Sequence, residues 1–458
     1  MCYNDRMQWG EKEQVGMSRT RTETMRRRRA SSRRRKLAAL NAVLLVAVGV
    51  VVAWNVWASN SGGDTADGRP MQESAAGPTP GESEAPDDEA AAPEEPADEM
   101  GDDGEGTAGQ ETSTDGEATE PGAGPGSETP ETETPGAGGD GGRVKLAFVG
   151  DVLLGEYVGT LLERHGFDYP YTHVKGQLQG ADLAIANLET SVTSLGGEKP
   201  GKKQYEFRSD PDALPAFKEA GFDLVNLANN HTLDFGPDAL RDTMKHLEES
   251  ELLHVGAGET MDEAYTPVYV EKNGLRIAVF GFTRVVPDVS WKVGKNSLGL
   301  AETYDYTEPV KAIKKAAEEA DLVVVMAHWG EERAQEPHPE KQVDLGRRFV
   351  DAGADLVVGS HPHVLQGFER YGGGWIAYSL GNFIFTKSKD PLTYEAAILE
   401  AECGEGGDCS LKLTPYFADT PQPQPMPPER TKELLARLDQ LSVGASVDAE
   451  GKIEPDDE

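Results

Sequence analysis

Positive charge is what this chain lacks most. Its 458 residues hold 44 Lys+Arg against 80 Asp+Glu, a formal net charge of −36. So acidic a chain repels phosphate backbones, which argues against nucleic acid as a partner. Cysteine is scarce too, with three residues. Cys2 stands near the start, while Cys403 and Cys409 flank Gly-Glu-Gly-Gly-Asp, a spacing that admits either a small bridge or two free thiols. No internal repeat sets a solenoid period.

What charge there is lies in blocks. Residues 1–36 carry 12 Lys+Arg against 4 Asp+Glu, and 59–142 carry 1 against 23. Between them the run LAALNAVLLVAVGVVVAWNVWA, residues 37–58, has no charge at all. Its 22 residues suffice to span a bilayer as a helix. Trp54 and Trp57 sit at its far end, where interfacial aromatics gather, and the arginines at 26–29 and 33–35 should stay in the cytoplasm. The expectation is a single-pass anchor in the cell membrane, with 1–36 as a cytoplasmic segment and everything after residue 58 extracellular. Two other fates compete. Val56-x-Ala58 resembles a signal-peptidase site, and SRRRKL (32–37) is a weak twin-arginine look-alike with Lys36 where a hydrophobic residue belongs. Residues 59–142 lack large apolar side chains and should form a disordered, self-repelling acidic linker that holds the rest away from the membrane.

Order is expected from Arg143. The run VKLAFVG reads as a buried strand, and strand-like runs then alternate with helical patterns, which argues βαβ architecture. Asp210-Pro211 and Pro237 mark helix starts, Gly353 marks a helix end, and Asn273-Gly274 between alternating runs marks a hairpin. Later strands look antiparallel, so the fold class is α/β: two sheets forming a sandwich with outer helices, over 143–445. TKELLARLDQL (431–441) should dock back as an amphipathic helix, 446–458 forms an acidic tail, and its final DAEGKIEPDDE (448–458) should fray.

Five apolar runs end at residues that can bind a metal. They stop at Asp151, at Asn187 and Glu189, at Asn229-Asn230-His231, at His328 with Glu331 and Glu332, and at His361 and His363. In open α/β sheets ligands bind at the carboxyl ends of strands. Each residue alone has a plainer reading. Asp151 can cap a helix, Glu189 can be solvated, Asn229 and Asn230 suit a left-handed turn, and His328 can be a core histidine bonded to a carbonyl. His361-Pro362-His363 can be a surface loop; if extended, it sets two imidazoles on one side. Asn382 in SLGNF can be a turn residue or a contact beside the pocket. Together these residues point to a metal pocket, and imidazole with carboxylate favours Mn, Zn or Fe, as one or two ions. Asp234, three residues after His231, can orient its ring, and His231 can then serve as a general acid. Asn187, Asn229, Glu331 and Asn382 are the candidate substrate contacts.

GDVLLG (150–155), NLET (187–190), NNHTLDFG (229–236), HWGEE (328–332), GSHPHVLQG (359–367) and YSLGNFIF (378–385) resemble the CapA family of capsule and poly-γ-glutamate synthesis proteins. That family resembles calcineurin-like metallophosphoesterases, whose fold is a four-layer α/β/β/α sandwich. The resemblance implies Asp151 and His363 at one metal, Glu189 bridging, and Asn230, His328 and His361 at a second. It implies His231 as the acid near the leaving group. The implied partners are an anionic capsular polymer or its precursor, membrane polymer-synthase components, and the lipid bilayer through 37–58. Where the parent fold has Asp-x-His, this chain reads Asp151-Val152-Leu153, and Arg333 stands where an aromatic is common. A metal-dependent hydrolase, a non-catalytic scaffold of a synthase complex, and a secreted metallophosphatase or nucleotidase unrelated to capsule are the readings to separate. A domain this acidic would need local cations, such as Lys199, Lys202, Lys203 and Arg208, to meet a polyanion.

Overall fold

The structure, a computed structural model, describes residues 142–195 and 203–456. The expected anchor 37–58, the linker up to residue 141, and Lys199 and Lys202 lie outside the described residues. Among the described residues no helix is long and apolar enough to cross a membrane.

Seven strands position the site: β1 (Val144–Val152), β2 (Leu183–Leu188), β3 (Leu224–Asn226), β4 (Leu275–Thr283), β5 (Leu322–His328), β6 (Leu356–Ser360) and β7 (Asn382–Ile384). Most read as unbroken apolar runs because both faces of each sheet are covered. β1, β2 and β3 are parallel neighbours in a ten-stranded sheet that continues antiparallel through Glu395–Cys403 and Cys409–Phe417. β4, β5 and β6 are parallel neighbours in a six-stranded sheet. Val268–Lys272 edges that sheet through the Asn273-Gly274 turn, whose φ values of 52° and 79° are those a tight hairpin needs.

Alternation along the strands divides the apolar residues between three cores. Leu146, Phe148 and Ile185 of the first sheet meet Ile277, Val324 and Val358 of the second. On the outer face of the first sheet, Ala147, Ala184 and Val225 pack under the helices Glu156–His165, Leu214–Glu219 and Pro237–Glu249 through Leu162, Phe217 and Leu240. On the outer face of the second, Phe280, Val325 and Val357 pack under Thr307–Glu319 and Asp344–Ala352 through Ile313 and Phe349. The layers therefore run α/β/β/α. Phe349 is wholly buried, so Phe349→Ala should cost about 3–5 kcal/mol.

The acidic tail does not fray. Ala445–Val447 and Lys452–Pro455 form a hairpin that adds to the Cys409–Phe417 strand, with Leu411 opposite Ile453. Val447 and Ile453 reach the inner core, and the charged residues between them face outward. Two apolar residues facing each other across the hairpin outweigh an acidic composition. The helix Pro428–Leu441 docks through Leu434, Leu435 and Leu438. Cys403 and Cys409 are joined as a disulfide across the hairpin they flank.

Candidate metal centre

Strand register lines polar residues up at the carboxyl ends of both sheets. Asn382, Asp151, Asn187 and Asn226 lie side by side on β7, β1, β2 and β3. Thr283, His328 and Ser360 lie side by side on β4, β5 and β6. The five strand tips read from the sequence thus belong to two sheets rather than one edge. The sandwich brings the two rows together, with Asn187 Nδ2 3.3 Å from His328 Nδ1. Gly150 makes room for this. A Cβ there would stand 1.8 Å from the Gly381 carbonyl, which accepts the Asp151 N–H at 2.9 Å.

Glu189 is the hub. It is fully buried, and its Oε1 lies 3.9 Å from His231 Nε2, 3.8 Å from His328 Nε2 and 3.9 Å from His363 Nε2. Those distances are too long for hydrogen bonds, and Oε1 has no hydrogen-bond partner. A buried acceptor left unpaired costs about 1–3 kcal/mol. Ligand atoms of Asp151, Glu189 and His328 lie within 4.8 Å of one another, as do those of Glu189, His361 and His363. His361 Nδ1 is a second buried atom without a partner. Asn230 Oδ1 stands 2.6 Å from His328 Nε2. Carboxylate, imidazole and amide oxygen around an unpaired buried acceptor is a donor set that fits a divalent cation.

His361 and His363 reach the cluster by a different route from the one their spacing predicts. The segment is not extended. His361 has φ 96° and His363 φ 57°, left-handed conformations that non-glycine residues rarely adopt. The two turns aim both rings inward, at a strain of about 1–3 kcal/mol each. Asp151 Oδ2 accepts the His361 N–H at 3.3 Å and lies 3.1 Å from His363 Nδ1.

The electrostatics are those of a cluster with too much buried negative charge. Burial and the Asp151 charge push the Glu189 carboxyl well above its usual range, and exposed Glu332 adds to this. Burial would raise Asp151 too, but His363 beside it wins and holds it low. His363 is correspondingly raised by Asp151 against the effect of its own burial. Burial and neighbouring imidazoles push His328 well down and His361 to about 3, so both rings are neutral and keep a lone pair for a cation.

Beside the cluster stands a histidine held from three sides. His231 Nδ1 is 2.7 Å from Asp234 Oδ2. The Phe207 ring stacks on His231 with centroids 4.1 Å apart, and its N–H donates to Asp234 Oδ2 at 2.8 Å. The Lys203 ammonium stands 3.2 Å from Nδ1, but the carboxylate contact is the shorter and a carboxylate only accepts, so Nδ1 carries the proton and Nε2 faces Glu189. Burial lowers the His231 pKa, and Asp234 partly opposes that.

The four expected substrate contacts have other places. Asn187 is wholly buried and donates to Asp151 Oδ1 at 2.8 Å, behind the ligands rather than at their mouth. Asn229, also wholly buried, accepts the N–H groups of His231 and Thr232 at 3.0 and 3.1 Å and shapes their loop. Asn382 lies 2.9 Å from His363 Nδ1 and orients that ring. Glu331 is exposed and tied to Lys341 at 2.9 Å. Sequence reasoning missed Asn226, which donates to Asn187 Oδ1 at 3.0 Å, and Ser360, 3.0 Å from His328 Nδ1. It missed Phe207 as well. Both Asn226 and Ser360 stand at strand ends, a signal that register would have exposed. Leu153, where the parent pattern has histidine, is fully buried.

Fold and cluster together define a class: a four-layer sandwich with a carboxylate–imidazole centre at the joined carboxyl edges of its two sheets. Within it, the chain belongs to the bacterial capsule synthesis protein family PGA_cap, which matches residues 145–387. It is 36% identical over 292 residues to the capsule biosynthesis protein CapA of Bacillus anthracis, across 62% of this chain and 70% of that one. It is 33% identical over 294 residues to the PGA biosynthesis protein CapA of Bacillus subtilis (strain 168), across 63% and 76%. Among solved structures it is similar to the calcineurin-like phosphoesterase YfkN of Bacillus subtilis at 16% identity and a TM-score of 0.36, over 61% of this chain and 91% of that one. That likeness is too slight to carry an argument about chemistry.

Proposed function

We propose that this CapA-like chain is anchored in the cell membrane by 37–58 and works outside it, in making, exporting or attaching an anionic capsular polymer such as poly-γ-glutamate. In this reading the Glu189 cluster binds one or two divalent cations, with Mn, Zn or Fe best suited to its donors, and hydrolyses a phosphoester or amide bond. The observation that carries it is the unpaired, buried Glu189 Oε1 facing three imidazole nitrogens at 3.8–3.9 Å. The Cys403–Cys409 disulfide supports an oxidising, extracytoplasmic setting.

Asp151, Glu189, Asn230, His328, His361 and His363 would hold the cations, which would supply electrophilic activation of the scissile group. The chain's own residues do the rest. Asn187, Asn382 and Ser360 orient the ligands. His231 takes up a second proton at Nε2 from solvent and gives it to the leaving group, while Asp234 accepts from Nδ1 and balances the charge of the doubly protonated ring. Polymer or precursor, synthase components and bilayer are the proposed partners. Lys203 is paired with Asp234 and Arg208 lies over the Phe235 ring, so a polyanion would meet this acidic domain largely through bound cations.

The test is metal content and hydrolysis of a generic phosphodiester by the full-length chain with added Mn²⁺. Bound metal, turnover, and loss of turnover in His231→Ala support the reading. A folded chain that binds no metal and turns over nothing supports the scaffold instead, a reading favoured by the buried Leu153 at the parent fold's histidine position.

A further inference from the structure

We infer that Lys203 is a positioning residue that locks the His231–Asp234 dyad to the ligand loop, an inference that rests on the hydrolase reading above. Its ammonium donates to Asp234 Oδ1 at 2.5 Å and to the Asn230 carbonyl at 2.6 Å. The first contact occupies one carboxylate oxygen and leaves Oδ2 for His231 Nδ1 and the Phe207 N–H. The second fixes the backbone of Asn230, whose side-chain oxygen meets His328 Nε2 at 2.6 Å. One cation thus couples the proton-exchanging ring to the cation-binding residues. The Lys203 side chain is 19% exposed and the Asp234 side chain 0%, so water cannot readily replace the pair.

The consequence is a fixed ring position. Nζ also lies 3.2 Å from His231 Nδ1, so one ammonium touches the ring, its carboxylate and the Asn230 backbone. With Oδ1 held by Lys203, Asp234 presents Oδ2 to Nδ1 and Nε2 stays aimed toward Glu189. Without the ammonium, Asp234 and the Asn230 backbone lose their common anchor and the ring can shift. Lys203 also lines a cavity of about 320 Å³ with Asp234, Phe235 and Trp291, and its Nζ stands 5.2 Å from the Trp291 ring centre. Truncation would open onto that cavity, leaving room for a small alkylammonium ion.

The experiment compares full-length wild type, Lys203→Met, Lys203→Arg and Lys203→Ala. Nuclear magnetic resonance spectra of the His231 ring should show one sharp environment in wild type and Lys203→Arg, and a shifted, broadened one in Lys203→Met. In the phosphodiester assay Lys203→Met should lower kcat about 10- to 1,000-fold with KM changed less than about threefold, and ethylammonium should restore part of the loss in Lys203→Ala. Wild-type ring signals and wild-type kcat in Lys203→Met overturn the inference. So does a loss of kcat with the ring signals unchanged and no rescue by ethylammonium or Lys203→Arg, since that pattern marks general disruption. If wild type turns nothing over, the hydrolase reading fails, and the ring spectra still decide the role of Lys203.

Discussion

Replacing Glu189 by glutamine should make the metal-free protein more stable and the metal-loaded protein less so. In metal-free wild type the side chain is fully buried, its Oε1 is unpaired, and its carboxyl is pushed up by burial and by Asp151. An unsatisfied buried acceptor costs about 1–3 kcal/mol. Glutamine keeps the shape, removes the like-charge conflict with Asp151, and adds N–H donors facing a region rich in acceptors. A gain of about 1–2 kcal/mol is expected, which for a domain of this size raises Tm by a few degrees. Cation binding acts the other way. At a free Mn²⁺ concentration of about 100 times Kd, wild type gains about 2.7 kcal/mol and the variant, lacking the hub carboxylate, gains little. Thermal melts of both proteins with EDTA and with Mn²⁺ should therefore cross. The reasoning is refuted if Glu189→Gln destabilises the metal-free protein by several kcal/mol while Mn²⁺ still stabilises it as in wild type. Glu189 would then be a structural hydrogen-bonding residue.

Other outcomes follow from neighbouring contacts. Asp234→Asn should lower turnover by about 10²- to 10⁴-fold with little effect on metal content, as steady-state kinetics and elemental analysis would show. Phe207→Leu keeps apolar volume but removes the stack on His231, so it should cost about 0.5–1.5 kcal/mol in urea unfolding and reduce turnover as well. Cys403→Ser with Cys409→Ser opens a bridge of sequence separation 6 and should cost about 2 kcal/mol, with the fold retained by circular dichroism. Burial holds His254, His328 and His361 below the ordinary histidine pKa. As pH falls below about 6.5 the unfolded chain takes up protons that these rings refuse, so the urea midpoint of the metal-free protein should drop from pH 7 to pH 5. His363, raised by Asp151, and Glu189, raised by burial and by Asp151, hold protons in the folded state that the unfolded chain releases, and they oppose this in part. A midpoint that climbs over that range would contradict the assignment.

The ligand residues were legible in the sequence because each ends an apolar run, and a run that stops at Asp, Asn or His at a strand tip is a local pattern. Their convergence from two sheets was not, since it depends on which strands neighbour which. Parallel runs such as β2 and β5 look alike whether they share a sheet or face each other. Register hid Asn226 and Ser360 for the same reason. Both stand level with a residue of the cluster, Asn187 and His328 respectively, and neither segment by itself says which neighbour it will meet. Period-two reasoning failed at His361 and His363 because an apolar strand had already ended at Ser360, and left-handed turns took over. The tail was misjudged by composition, which hides the cross-strand pair Val447 and Ile453.

The missing imidazole at Leu153 bears on how many cations the site can hold, and the geometry bounds the answer. Had the cluster been centred on Asp151, a leucine two residues on would have emptied one side of it. It is centred on Glu189 instead, and the two ligand groups that satisfy a common distance, Asp151–Glu189–His328 and Glu189–His361–His363, both include that carboxylate. Asp151 already has an imidazole close by in His363, 3.1 Å away and delivered by a different loop. A leucine at position 153 therefore leaves the hub and its orienting asparagines untouched. The features that set the cluster up, the left-handed histidines and the Asn382–Asp151–Asn187–Asn226 row, remain in place. Left-handed histidines around an unpaired carboxylate oxygen cost stability, since relaxing either would stabilise the fold, and a cation bound among them would offset that cost.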